Sequence, residues 1–283
     1  MKKNQVMIQV DGKSFSVHEV MNVENKPSMF FKYHSINENL TKLLKQSQFH
    51  MQSHLRQKDF MDCKFDLAPE YLENMMREEA LKVLQERGQL HLKDHALKEI
   101  MNQKSWRGIH LLDTYVRSPI YLTCFTTNAN AEHMWTLYGN GHKGLRLGFD
   151  FSNDKDLYDH ILPVRYTEQV PVVYDDESLA AIPYFKRRFF HVEDEWRICV
   201  SHPSGLPFKK SSLKNVTFGC RVPERDQENV INELMNLGYD LDRIEFNQIQ
   251  VNISGNDVPF HLMDALINLM EEEINGNNKG VAV

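Results

Sequence analysis

The stretch FFHVEDEWRICV, residues 189–200, decides how the chain is read. In extended backbone, successive side chains point to opposite faces. Phe190, Val192, Trp196, Ile198 and Val200 then share one side, interrupted only by Asp194, while His191, Glu193, Glu195 and Arg197 share the other. The pattern predicts a strand with one face on a core, and it sets Glu193 and Glu195 about 7 Å apart at Cα, pointing the same way. Two explanations fit such a charged row. It is a solvated face whose ions pair across to the next strand, or it is a pair of carboxylates held on a rigid element to act on a ligand, with Arg197 tuning them.

Working outward, alternating or apolar runs predict further strands at MFFKYHS, QFHMQSH, PIYLTCFTT, LRLGFDF, HILPVRYT, LKNVTFGCRV and RIEFNQIQVN. The run VMIQVDGKSFSVHEV alternates around Asp11-Gly12 and reads as a hairpin within residues 1–26. Helical spacing marks INENLTKLLKQS, ANAEHMWTLY, ERDQENVINELMNLG and HLMDALINLMEEEI. Residues 67–106 carry two such segments with Gly88 between them, which predicts an inserted helical hairpin. Many strands with scattered helices and no regular βαβ alternation predict an α+β fold in a single domain spanning 1–283. A polar, flexible tail is expected at 275–283.

Composition is that of a soluble chain: 283 residues, 41% hydrophobic and 25% charged. A net charge of −6 excludes indiscriminate phosphate binding over the whole surface, while leaving room for a local basic patch. The four cysteines form no CxxC, which argues against zinc ribbons and redox pairs. No apolar run reaches signal-peptide or membrane-span length, so no membrane partner and a reducing cytoplasm are expected.

Gly139-Asn140-Gly141-His142-Lys143-Gly144 matches GxGxxG by letter. A dinucleotide fingerprint, however, follows a strand and opens a helix. Here the helix comes first and the strand after, so the segment reads as a helix exit and turn. GxxxxGK[ST], HExxH and GxSxG are all missing, which removes P-loop, zincin and hydrolase-elbow chemistry.

Several separated pieces share an order. FKYHS, DFMDCKFD, CFTTNANAEHMWTLYGNGHKGLRLGFD, the tyrosine of VRY, Lys186 before VEDEWRI, and VTFG together resemble a bacterial family catalogued as domain of unknown function 2971. Residues 124–150, with Met134-Trp135, Tyr138 and Lys143-Gly144, carry most of the resemblance. Where that family has Asn-Asp-Pro, this chain has Met61-Asp62-Cys63. The layout of KYHS, CFTT and Glu-Asp-Glu is also similar to that of the ADP-ribosyltransferase superfamily, with its mixed or antiparallel β core and flanking helices. Those enzymes use a basic residue on a first strand, a hydroxyl residue on a second and a glutamate on a later one, often as Glu-x-Glu.

This likeness implies NAD as co-substrate. Cleaving the nicotinamide–ribose bond builds positive charge on the ribose, which a carboxylate stabilises. The resemblance gives that role to Glu195, and gives Glu193 the orientation or deprotonation of the acceptor nucleophile. His34, or Lys32 on the same face, would contact NAD ribose or phosphate. Thr126 or Thr127 would position the nicotinamide ribose, unless the pair only caps the helix that follows. Trp135 and Tyr138 share a helix face and either stack on a ring or form a buried aromatic seam. Lys186, Arg187 and Arg188 either bind phosphates or are a solvated strand entry.

The implied activity is ADP-ribosyl transfer to a macromolecule, nucleic acid or protein, as in a bacterial toxin or phage-defence effector with a neutralising partner. The Met75/Met76 helix is a candidate surface for such a partner. Two other readings stay open. One is a non-catalytic nucleotide or nucleic-acid binding module. The other is a metal-dependent nuclease with Asp62, Glu193 and Glu195 as oxygen ligands.

Overall fold

The computed structural model describes residues 7–57, 59, 62–102, 120–129 and 131–250. The expected helix at 261–274 and the tail at 275–283 lie outside them. Helices and strands are combined in mixed sheets, and the chain divides into two compact units, each discontinuous in sequence. None of the described helices is long and apolar enough to cross a membrane.

The first unit takes the described residues of Met1–Ser28, Phe49–Thr127 and Lys155–Leu206. Met7–Val10 and Lys13–Ser16 form a hairpin that turns at Asp11 and Gly12, both at positive φ, where the short polar side chain and glycine meet little steric cost. A short helix, Val17–Met21, then starts at Ser16. The Ser16 hydroxyl accepts from the Glu19 N–H while the Glu19 carboxylate accepts from the Ser16 N–H, a reciprocal cap. Met7–Val10 also pairs with Val172–Val173, which pairs in parallel with Asp66–Leu67. Helices Pro69–Glu86 and Lys93–Asn102 pack on each other, with Gly88 at φ +65° at the break between them.

The ladder that carries the charged stretch is antiparallel. Tyr121–Thr126 pairs with Glu195–Val200 from Tyr121↔Val200 to Thr126↔Glu195, and Leu162–Pro163 lies on the other side of Glu195–Val200. A separate parallel pair joins Arg165–Thr167 to Phe185–Arg187. Only half of the opening stretch is strand. Arg188–Glu193 is a 3₁₀ turn and Asp194 is left-handed at φ 44°, so the strand begins at Glu195. Glu193 and Glu195 are therefore not strand neighbours, and Asp194 is exposed rather than set on an apolar face. The reason is energetic. Phe189, 79% exposed, and Val192, 45% exposed, have no core to face, so the alternating pattern there finds no sheet to join.

The second unit takes the described residues of Met29–Gln48, Asn128–Asp154 and Pro207–Val283. Its strands run in the order Met29–His34, Leu145–Asp150, Leu213–Phe218, Glu245–Gln248, with Leu145–Asp150 antiparallel to both of its neighbours. The last two are parallel and joined through helix Glu224–Asn236, so the chain does contain one βαβ crossover. That helix carries Glu224 and Asp226 in its first turn, buries Val230 and Leu234 one turn apart, and ends before Gly238 at φ +76°.

The segment 139–144 links helix Glu132–Leu137 to strand Leu145–Asp150 as a turn, with Asn140, Gly141 and His142 all left-handed. Gly144 is obligatory there, because a Cβ would sit 2.2 Å from the His34 carbonyl oxygen. The core of this unit includes Phe30, Leu147, Phe149, Phe151, Val216 and Phe218, all essentially inaccessible.

Candidate functional site

The residues from the charged stretch meet in the first unit as one buried ionic cluster. Arg197 projects from the middle of its strand and is fully buried. Its Nε donates to Glu195 Oε1 at 2.6 Å and Nη2 to Glu195 Oε2 at 3.1 Å. Nη1 and Nη2 also donate to Asp62 Oδ1 and Oδ2 at 2.9 and 2.6 Å, and Nη1 donates to the Pro183 carbonyl at 2.6 Å. All five N–H groups of the guanidinium thus have acceptors, in two carboxylate forks and one carbonyl contact.

Lys186, on the short strand Phe185–Arg187, closes the other side. Its Nζ donates to Glu193 Oε2 at 2.6 Å and to Glu195 Oε2 at 2.9 Å. The two glutamates therefore converge, but through an ammonium reached from a 3₁₀ turn and a strand end, not by alternation along one strand. Thr126, opposite Glu195 in the ladder, donates its hydroxyl to the Glu193 carbonyl at 2.6 Å and so fixes the end of that turn. Thr127 donates to the Asp194 carboxylate. The Tyr166 hydroxyl accepts from the Glu195 N–H at 2.8 Å.

Electrostatics follow from this geometry. Burial alone would push the Glu195 carboxyl up, but Arg197 and Lys186 outweigh it and hold the group well below the usual carboxylate range, so it is ionised at neutral pH. Burial pushes the Cys63 thiol well up and the Cys199 thiol up to about 12. Both stay protonated beside Arg197 and are poor nucleophiles. Asp62 presents both oxygens to Arg197, and no group of three or more His, Cys, Asp or Glu side chains among the described residues is placed to hold a metal ion. The donor set of the nuclease reading is thus taken up by cations of the protein itself.

Lys32, His34 and Tyr138 fall in the second unit. Tyr138 packs on a cluster of Tyr33, Ala131, Met134 and Trp135. Trp135 is buried, edge-on to Tyr33 at 4.9 Å and stacked on His142 at 5.6 Å, so it belongs to an aromatic seam. His34 Nε2 is out of contact with water and has no hydrogen-bond partner. Burial, aided by the charge of Lys32, pushes the imidazole down to about 3, so it is neutral and offers a hydrogen bond rather than a charge to any phosphate.

That neutrality has a measurable sign. The unfolded chain takes up this proton near pH 6.5 and the folded chain only near 3, so stability falls on acidification through that window. Urea midpoints at pH 7 and pH 5 are expected to drop for the native chain and to drop less for His34→Gln. Equal drops would show that His34 is not the group responsible.

Reasoning from sequence missed Tyr166 as the acceptor for the Glu195 N–H and Cys63 as a neighbour of Arg197. Tyr166 has a weak signal, being the one hydroxyl in VRYT at strand spacing from the apolar Val164. Cys63 has none. Compared with family models, with curated proteins and with solved structures, the chain finds no match.

Proposed function

We propose that this chain is an enzyme of the ADP-ribosyltransferase type, allied to the domain of unknown function 2971 family, that consumes NAD and modifies a nucleic-acid or protein acceptor in the manner of a toxin or phage-defence effector. The observation that carries the reading is Glu195. It is an ionised carboxylate fixed in one orientation by Arg197 and Lys186 at the first residue of its strand, directly opposite Thr126. A preorganised anion of this kind stabilises positive charge as it develops, without having to reorganise. In the proposed step the bond between nicotinamide nitrogen and ribose C1′ breaks, its electron pair leaving with neutral nicotinamide. The ribosyl cation faces Glu195, and the acceptor nucleophile bonds to C1′ as its proton passes to Glu193. The proposal rests on first-unit residues alone.

One observation favours a second reading, a nucleotide or nucleic-acid binding module without turnover. Both Glu195 oxygens already accept from protein donors, and the side chain is buried. Incubating the chain with NAD carrying a labelled adenylate, together with cell lysate, separates the two. Free nicotinamide accumulating with time, and label entering macromolecules, is the expected result. Saturable binding of NAD without nicotinamide release would replace the enzyme with the binding module.

A further inference from the structure

Two cations hold Glu195 by its carboxylate, and a third side chain holds it by its backbone. Leu162–Pro163 pairs antiparallel with Glu195–Val200, with Trp196 opposite Pro163, and one residue further on the Val164 N–H donates to the Glu195 carbonyl at 2.8 Å. In a regular antiparallel pair, a residue that accepts in this way returns a bond from its own N–H to the facing carbonyl. Here the neighbouring chain leaves the ladder, because Arg165–Thr167 pairs in parallel with Phe185–Arg187. The Glu195 N–H donates to the Tyr166 hydroxyl at 2.8 Å, so a phenol takes the place of a ladder carbonyl.

The parallel pair gives this contact its setting. Tyr166 stands in register with Lys186, and neighbours in register on adjacent strands share a face. Both reach the same residue, Tyr166 at the Glu195 N–H and Lys186 at Oε2, 2.9 Å away. Burial pushes the Tyr166 phenol up from its ordinary value, so it stays a neutral hydroxyl whose oxygen can accept from an N–H. Asp194, just before Glu195, is left-handed at φ 44°, and its carbonyl accepts from the Thr127 N–H at 3.3 Å. The peptide between Asp194 and Glu195 is therefore pinned at its C=O by Thr127 and at its N–H by Tyr166, the shorter of the two bonds. A planar peptide held at both ends fixes the Cα–Cβ direction of the residue that follows it.

We propose that Tyr166 is a positioning residue for Glu195: by holding this peptide at its N–H, the hydroxyl sets the direction in which the carboxylate leaves the strand. The effect on turnover rests on the ADP-ribosyl transfer reading above, whereas the effect on Glu195 itself does not.

Tyr166→Phe keeps the ring and removes only the oxygen. With NAD as substrate and free nicotinamide as readout, at equal folded fraction, kcat should fall by about tenfold or more while KM for NAD stays within about twofold, because a misaimed carboxylate loses transition-state stabilisation and leaves ground-state binding intact. Unchanged kcat and KM would overturn the proposal, as would a raised KM with native kcat, which would place Tyr166 on NAD itself. The second readout needs no turnover. In NMR spectra of the full chain, the Glu195 amide proton of Tyr166→Phe should move upfield and exchange faster with solvent, and the Glu195 Cδ resonance should shift as the carboxylate changes its seat between Arg197 and Lys186. A chain that releases no nicotinamide but shows both shifts would end the transferase reading and leave Tyr166 as the residue that aims Glu195. An amide that moves while Cδ stays still would show that the hydroxyl holds backbone only, and the positioning role would fall. Should Tyr166→Phe fail to fold, the full chain made with 3-fluorotyrosine decides, since fluorine weakens the phenol oxygen as an acceptor while leaving it in place. The same two resonances should then move in the same direction, and resonances that stay still would overturn the proposal.

Discussion

Arg197→Met is expected to destabilise the protein by about 3 to 5 kcal/mol, the scale for removing one partner from a buried ionic network. Methionine fills much of the volume but offers no donor, so Asp62 and Glu195 would be left buried without the cation that holds both of them. Urea unfolding followed by circular dichroism at pH 7 measures the loss. Arg243→Met is the control, because its pair with Asp240 is 72% and 57% exposed at the two side chains and worth little. A loss at Arg197 no larger than at Arg243 would show that the cluster does not stabilise the fold. The variant should also respond differently to acid. In the native chain Glu195 stays ionised where the unfolded chain takes up a proton, near 4.5, so its stabilising contribution is present above that pH and is lost as pH falls further. Without Arg197, part of that acid sensitivity should vanish.

How much of this site could be read in advance depends on distance along the chain. The strand Glu195–Val200 was legible, because Trp196 and Ile198 alternate with charged residues and β-branched and aromatic residues favour the pleated surface. The turn before it was not. Phe190 and Val192 have the same spacing as a strand, and only the left-handed Asp194, a residue type that tolerates that conformation, breaks the pattern. The glutamates converge for a reason that no period can show: Lys186 returns from a different strand to sit between them. Asp62 is 135 residues from Arg197, and only the fold brings them together. Arg146 reads in sequence as one more polar residue in an alternating strand, and its neutral acceptors, the Ala129 carbonyl and the Thr217 hydroxyl, are brought to it only by the fold. In the second unit the turn at 139–144 was legible from element order alone, since a helix that ends in glycines before a strand cannot cradle a pyrophosphate at a helix start.

Glu195→Gln is expected to abolish both nicotinamide release and transfer of ADP-ribose, a loss of about 3 kcal/mol or more in transition-state stabilisation, which is on the order of a hundredfold or greater in rate. The amide keeps the size of the side chain and one acceptor for Arg197, but it removes the negative charge at the point where the ribosyl cation develops. Glu193→Gln tests a different step. Its carboxylate stands on the 3₁₀ turn rather than on the strand, fixed by Lys186, and in the proposed mechanism it only takes the acceptor's proton. That variant should lose transfer while slow hydrolysis of NAD by water stays measurable. Asp194→Asn changes an exposed residue whose role is to accept from Thr127, so it should leave both reactions near the native level. Since Glu195 is also structural, each variant is compared at equal folded fraction, measured by the same urea transitions used for Arg197. If Glu195→Gln remains folded and releases nicotinamide at the native rate, the carboxylate is not facing the reacting ribose, and the cluster acts only to hold the strand, the 3₁₀ turn and the Asp62 loop together.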